Sequence, residues 1–553
     1  MGLGPESIPA LPRSFILMLS RRGIVLMALM VLLLVAFTMT PTSFLPAVRP
    51  GSVSLDSSSP PAARPENPHT NVSEQVYQDK RPDWSTISDT PDTAQYSVTS
   101  TGLPSMGTIM PQTLDQPARR PDPICDNFPD VGNILLVVKT GATEAYARLP
   151  TQLLTVLRCL PEFFIFSDME QTISGFHVRD ALDTVLDEAK KDNKDFDLYR
   201  RQQKCAIDQD SCTKDYTDEA KRKKTDISND GWNLDKYKNI HIAEKTYAMR
   251  PNYDWYITID ADTYVLWPTM VQWLRTLNPR DRHYLGSVTM LGGFPFGHGG
   301  SGYVLSQAAM ASYVGKHRGV GNMYDMATKK ECCGDFMLAR SLKDKTGVDV
   351  KQSWPTINGE KPFTLPFSKS QWCHAIVTMH HMNSEEISTF WEYENKFYKN
   401  RALVHDRPML IKDIYHAFVE ARLEDQRDNW DNLSDDRFFF NASAPPRGAN
   451  DHSGHGQWED WQLRKLPKAS KMTEAERVAW YSPKHCRAAC SANKDCFQWR
   501  FQGGLCALAW SFKLGRPQAP DEAGASISGW EMNRIKAFVE ERGNCEKVQW
   551  PTV

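Results

Sequence analysis

The chain has 553 residues and a formal net charge of −2. Nucleic-acid binding rests on a basic field, which this near-balance does not supply. The length allows more than one folded unit.

Arg13, Arg21 and Arg22 precede an uncharged apolar run over residues 24–39. That run is near the lower end of the roughly 17–25 residues that a membrane helix needs. The next Lys or Arg is Arg49. Positive charge stays on the cytoplasmic side. The reading is a cytoplasmic tail over 1–22, a signal-anchor transmembrane helix over 23–40 and a lumenal remainder. A cleaved signal peptide would have an apolar core of about 7–15 residues and a small-x-small cleavage site. Residues 41–123 are rich in Pro, Ser and Thr. They bury too little apolar surface to offset the entropy of ordering, so a disordered stem is expected. Asn71, Asn432 and Asn441 each begin an N-glycosylation sequon.

All twelve cysteines lie beyond the stem. An even count in an oxidising compartment implies disulfides, with Cys205 and Cys212 the expected local pair. No Cys-x-x-Cys pair matches zinc spacing.

Residues 124–430 read as one α/β domain. Strands are expected at 133–139, 162–167 and 256–259. Helices are expected at 144–157, 180–194, 239–249 and 268–277, and a charged loop at 208–230. Residues 431–475 read as a linker. Residues 476–553 form a Cys-rich module containing Cys486, Cys490, Cys496, Cys506 and Cys545. Its short pattern around His485 and Cys490, then Cys496 and Cys506, resembles a PAN/Apple-like segment. Such modules bind carbohydrate or protein. The alternative is a structural appendage to the catalytic domain.

The chemistry concentrates at Asp260-Ala-Asp262, which ends an apolar strand. Ligands in α/β sheets bind beyond the carboxyl ends of strands. A side-chain period of two places Asp260 and Asp262 on one side. Two hard oxygen ligands suit Mg²⁺ or Mn²⁺ and its bound phosphates. The plainer alternative is a solvated turn. Downstream, residues 292–305 form a Gly-rich loop that matches neither Walker nor Rossmann spacing. Asp335 opens an apolar helical pattern, where a carboxylate also serves as an N-cap. Val377 to Met382 ends in paired His380 and His381. Either imidazole is placed to complete a metal site begun by Asp262.

Four ordered blocks carry a resemblance: DADTYV at 260–265, GHGGSGYVLS at 297–306, CCGD at 332–335, and WC followed by VTMHHM at 372–382. Over about residues 130–420 the chain resembles the Fringe-like and core 1 β1,3-galactosyltransferase group of inverting glycosyltransferases. The resemblance implies a GT-A fold, a UDP-sugar donor and a divalent cation, commonly Mn²⁺. By the same resemblance, Asp262 is the metal-binding carboxylate, Asp260 the first Asp of the motif, His380 the metal-binding histidine (with His381 one position away) and Asp335 the catalytic base. Ala261 stands where relatives often have Asp. Trp372 and the Gly-rich loop are expected to line the donor or acceptor pocket, and Glu331 is the nearest alternative base.

The implied activity is an N-acetylgalactosaminide β1,3-galactosyltransferase acting on a glycan or glycoprotein. Transfer from UDP-GlcNAc or UDP-glucose is the enzyme alternative, because these motifs do not read the sugar's C4 hydroxyl. A non-catalytic lectin or chaperone on the same fold is the alternative from another class, against which the retained Asp262, Asp335 and His380 argue. The expected partners are the UDP-sugar, the acceptor, the membrane and a second copy of the chain, with no nucleic acid.

Overall fold

A computed structural model describes residues 122–126, 128–129, 133–205, 208–209, 230–399 and 407–553. The tail, anchor and stem expectations fall outside them, except at the last residues of the stem. Among the described residues no helix is long and apolar enough to cross a membrane.

Strand β1 (Ile134–Lys139) is an unbroken apolar run ending in a lysine. Such runs form strands buried on both faces. Helix Ala142–Leu154 leads to β2 (Phe163–Ser167), which pairs with β1 in parallel. Ser174 and Gly175, both at positive φ, turn the chain between β3 (Gln171–Ile173) and β4 (Phe176–Asp180). Of the helix expected over 180–194 only Asp187–Lys190 forms: Asp180 ends β4, and its Oδ1 accepts from the Leu182 N–H in a turn that delays the helix start. Helices Asp230–Asp235 and Lys238–Met249 precede β5 (Trp255–Asp260). The short β6 (Tyr264–Val265) and helix Trp267–Leu274 follow. Next come β7 (Tyr284–Gly286), the hairpin of β8 (Val288–Leu291) and β9 (Phe294–Gly297), and β10 (Tyr303–Ser306). Helix Gly334–Thr346, β11 (Lys351–Gln352), β12 (Thr378–Met379) and helix Ser384–Phe397 complete this part.

Eight strands form one sheet in the order β11-β7-β10-β5-β1-β2-β4-β3. Alternate residues of β1 feed different cores. Ile134, Leu136 and Val138 join one cluster, and Leu135 and Val137 join the other. The sheet is therefore covered on both faces, and only its strand ends are open for chemistry. This mixed α/β architecture with a large central sheet fits the expected GT-A fold.

Residues 431–475 are not a linker. Strand Arg437–Phe439 pairs with Leu505–Ala509 in a five-stranded antiparallel sheet, which also holds Gln426–Asp428, Gln498–Gln502 and Ile527–Trp530. Trp458 and Trp461 pack against Phe438 and Phe440, so these aromatics belong to a core. Disulfides Cys486–Cys506 and Cys490–Cys496 staple helix Pro483–Ala492 to this sheet and to the loop that follows the helix. The module is not separate either. Phe367 and Phe512 exchange backbone hydrogen bonds, Cys373 is bonded to Cys545, and Phe538 shares the main core with Trp372.

Cys125–Cys159 ties the segment ahead of β1 to the turn ahead of β2. Cys205 is disulfide-bonded, and its expected partner Cys212 lies outside the described residues. Asn432 is fully buried, and its Nδ2 donates to the carbonyls of Trp499 and Gly529. A glycan on that nitrogen is incompatible with this fold. Asn441 is exposed.

Candidate active site

β1 and β5 lie side by side in parallel, which sets Lys139 opposite Asp260 at their carboxyl ends. Lys139 Nζ sits 2.9 Å from Asp260 Oδ1 and 2.7 Å from Asp235 Oδ2. Burial opposes the charge on Lys139, but these two carboxylates hold its pKa well above the ordinary lysine value. Behind it, Lys238 Nζ lies 3.3 Å from Asp168 and 3.4 Å from Asp235. Asp168 in turn accepts from the Ala142 N–H at the start of a helix. Asp260 thus belongs to a charge network whose lysines and Asp235 line the cavity together with it. Its partners Lys139, Asp235 and Lys238 were not singled out in the sequence. The available signal was a lysine terminating an otherwise apolar strand.

The chain leaves β5 at Asp260 and turns, so the period-of-two argument does not extend to Asp262. The Thr263 N–H donates to the Asp260 carbonyl at 2.9 Å. Antiparallel pairing of β6 with β12 sets Met379 opposite Tyr264 and carries His380 to Asp262. His380 Nε2 lies 3.2 Å from Asp262 Oδ1, and His381 Nδ1 lies 4.0 Å from Asp262 Oδ2. One donor atom from each of the three falls within 4.8 Å of the others. Burial pushes the Asp262 carboxyl up, but the bond to His380 and its charge outweigh this and lower its pKa. Two ligands bound to a small cation at about 2.1 Å and at right angles stand about 3 Å apart. The Asp262–His380 spacing fits that requirement. His380 is buried, whereas His381 is exposed at φ 60°. Asp260 is outside this group.

The Gly-rich loop joins the two halves of the site. Gly299 N–H donates to Asp335 Oδ2 at 2.7 Å. A Cβ on Gly300 would stand 2.2 Å from His380 Cε1, so only glycine fits against the imidazole. Gly302 holds φ 83° where the loop enters β10. His298, the loop's own imidazole, donates to or accepts from Ser301 Oγ at 2.8 Å, and its ring lies 5.6 Å from that of His380. The histidine inside the glycine run was its sequence signal.

Asp335 is the second residue of helix Gly334–Thr346; Cys333 occupies the N-cap. The capping role considered for Asp335 therefore does not describe it. Its Oδ1 accepts from the Phe336 N–H at 2.8 Å. Burial raises its pKa above the usual carboxylate value, and the bonds from Gly299 and Phe336 oppose the rise.

Asp260, His298, Gly299, Gly300, Asp335, His380 and His381 line one cavity of about 590 Å³. Trp372 does not. It is fully buried, with its ring 5.3 Å from those of Tyr415 and Phe538, because an indole at this point fills the core behind β12. Glu331 also lies outside the cavity lining and pairs with Arg340 at 3.0 Å.

A family model described as Fringe-like matches residues 130–357. The chain carries a Fringe-like domain. The matched stretch contains Asp260, Asp262, the Gly-rich loop and Asp335. His380 and the C-terminal module lie beyond it. The family is one of glycosyltransferases acting with nucleotide-sugar donors. No match was found among curated proteins.

Proposed function

We propose that the protein is a metal-dependent, inverting β1,3-galactosyltransferase that moves galactose from UDP-galactose to an N-acetylgalactosamine-bearing glycan or glycoprotein. One observation carries the reading. Gly300 lies against His380, which pairs with Asp262, and the neighbouring Gly299 N–H donates to Asp335; His380 and Asp335 line one cavity, with Asp262 behind His380 and outside the lining.

Asp262 and His380 would hold the cation, with His381 beside them. When bound, a divalent ion such as Mn²⁺ supplies charge neutralisation for the departing diphosphate. Asp260 is held in place at the carboxyl end of β5 by its ion pair with Lys139. Asp335 accepts the proton of the acceptor hydroxyl. That oxygen bonds to the sugar's anomeric carbon as the bond to UDP breaks on the opposite face. The α-linkage of the donor becomes β, and no nucleophile from the protein is consumed. Gly299 keeps Asp335 oriented by donating to one oxygen, leaving carboxylate lone pairs for the acceptor.

The test is transfer and donor hydrolysis by the purified protein with UDP-galactose, UDP-GlcNAc and UDP-glucose, each with and without Mn²⁺. Mn²⁺-dependent transfer from UDP-galactose is expected. Transfer from another UDP-sugar alone would reassign the donor, and no turnover of any would contradict the reading.

We also propose a single-pass Golgi protein with a lumenal catalytic domain, from Arg21 and Arg22 ahead of the apolar run. Protease added to intact microsomes should spare the catalytic domain until detergent is present. Cleavage without detergent would reverse the orientation.

A further inference from the structure

Cys332 and Cys333 are adjacent in sequence and bonded to each other. Both line the cavity with Asp335, and nothing in the proposed chemistry uses them. Cys333 is the N-cap of the helix that carries Asp335, yet it makes no side-chain capping bond. Ser, Thr, Asp or Asn would be favoured there for helix stability alone. The turn is also pressed into place. A Cβ on Gly334 would stand 2.5 Å from Asn239 Nδ2 and 2.7 Å from the Lys236 carbonyl oxygen. The sulfur pair therefore sits at a fixed position, a step ahead of the base.

The wall around Asp335 carries the charged or polar Lys139, Asp235, Asp260, His298 and His380, and the apolar side chains of Leu198, Trp232 and Phe296 line the same cavity. Disulfide sulfur is polarizable and apolar in behaviour, with no proton to donate. A pyranose has the complementary pattern, with a C–H face and hydroxyls around its rim. If that face rests on the sulfurs, a rim hydroxyl is presented to Asp335, two residues further on.

We infer that the Cys332–Cys333 disulfide is the surface on which the acceptor's sugar ring packs, a specificity-determining contact of the acceptor subsite. The inference rests on the transferase reading above. It adds an element which that reading does not require.

The experiment uses the full chain, UDP-galactose and p-nitrophenyl N-acetyl-α-galactosaminide. In Cys332→Ala/Cys333→Ala the KM for the aryl sugar should rise about tenfold, with Mn²⁺-dependent UDP affinity unchanged. An acceptor KM within about twofold of wild type, or a loss in kcat alone, would overturn the contact. A second measurement does not depend on the variant folding. In the wild-type protein, a dithiol delivers two electrons and two protons to the disulfide and leaves as its own cyclic disulfide. The freed thiols at 332 and 333 are then alkylated and counted by mass spectrometry. Saturating aryl sugar with UDP and Mn²⁺ should slow this labelling several-fold relative to UDP and Mn²⁺ alone. Equal labelling would overturn the inference. If the wild-type protein transfers no sugar from any donor, the transferase reading falls and this contact falls with it.

Discussion

Asp335 does two things with one carboxylate: it ties the Gly-rich loop to its helix, and it faces the cavity. Asp335→Asn keeps the shape and an oxygen able to accept from Gly299, but loses the proton acceptor. We expect kcat to fall by about 10²–10⁴ with UDP affinity and melting temperature little changed. Asn has one acceptor oxygen for the two N–H groups, of Gly299 and Phe336, that the carboxylate serves, so the melting temperature is measured beside kcat to separate lost structure from lost chemistry. The pH dependence has a definite sign. A base must be ionised, and burial raises this carboxyl's pKa, so kcat should climb with pH through an ionisation above the ordinary Asp value of 3.8. Near-wild-type transfer by a folded Asp335→Asn protein would remove Asp335 from the chemistry.

At the scale of elements, the metal group depends on two very short strands, β6 and β12, and what lies beneath them. Tyr264 of β6 donates its hydroxyl to Glu394 on helix Ser384–Phe397. Glu394 is buried, and burial pushes its pKa up to about 8 from 4.5, with the Tyr264 bond opposing. The sign follows. Below pH 4.5 both folded and unfolded chains hold the proton. Between 4.5 and 8 the unfolded chain releases it while the folded chain keeps it, so this group's contribution falls as pH rises. The slope is at most about 1.4 kcal/mol per pH unit. Glu394→Gln should keep the bond and remove the slope, so the variant should gain stability over wild type as pH increases from 5 to 8. A constant difference in melting temperature over that range would contradict this. The same elements show what a sequence can disclose. β1, β2 and β5 were legible because unbroken apolar runs bounded by charge admit few other structures. Asp262, Asp335 and His380 stood out in the sequence because they flank apolar runs, and the structure sets His380 beside Asp262. The hairpin at 171–180 was missed because two positive-φ residues decide it and only one is glycine. The ring of Trp372 was misplaced because it lies in a turn ahead of β12, where sequence spacing does not say whether a side chain faces the cavity or the core. The Lys139–Asp235–Asp260 network was missed because its members are far apart in sequence and meet only through sheet order.

At the scale of the whole molecule, the C-terminal module buttresses the transferase part. The segment that delivers His380 passes through Phe367, which bonds to Phe512, and Cys373, which bonds to Cys545. The Ala375 N–H also donates to the Gln549 carbonyl at 3.1 Å. The Cys373–Cys545 bridge closes a separation of 172 residues. Removing a native disulfide costs about 2–5 kcal/mol. Cys373→Ala/Cys545→Ala should therefore lower the melting temperature by several degrees and weaken Mn²⁺-dependent UDP binding with it. An unchanged melting temperature would mean that the module merely rests on its neighbour. The central claim, that Asp262 and His380 present a cation to the donor's diphosphate, has a direct test in calorimetric titration of UDP into wild type and Asp262→Ala, with and without Mn²⁺. The account predicts that Mn²⁺ tightens UDP binding in wild type and has no effect in a folded Asp262→Ala. Equal Mn²⁺-dependent affinity in both proteins would contradict it.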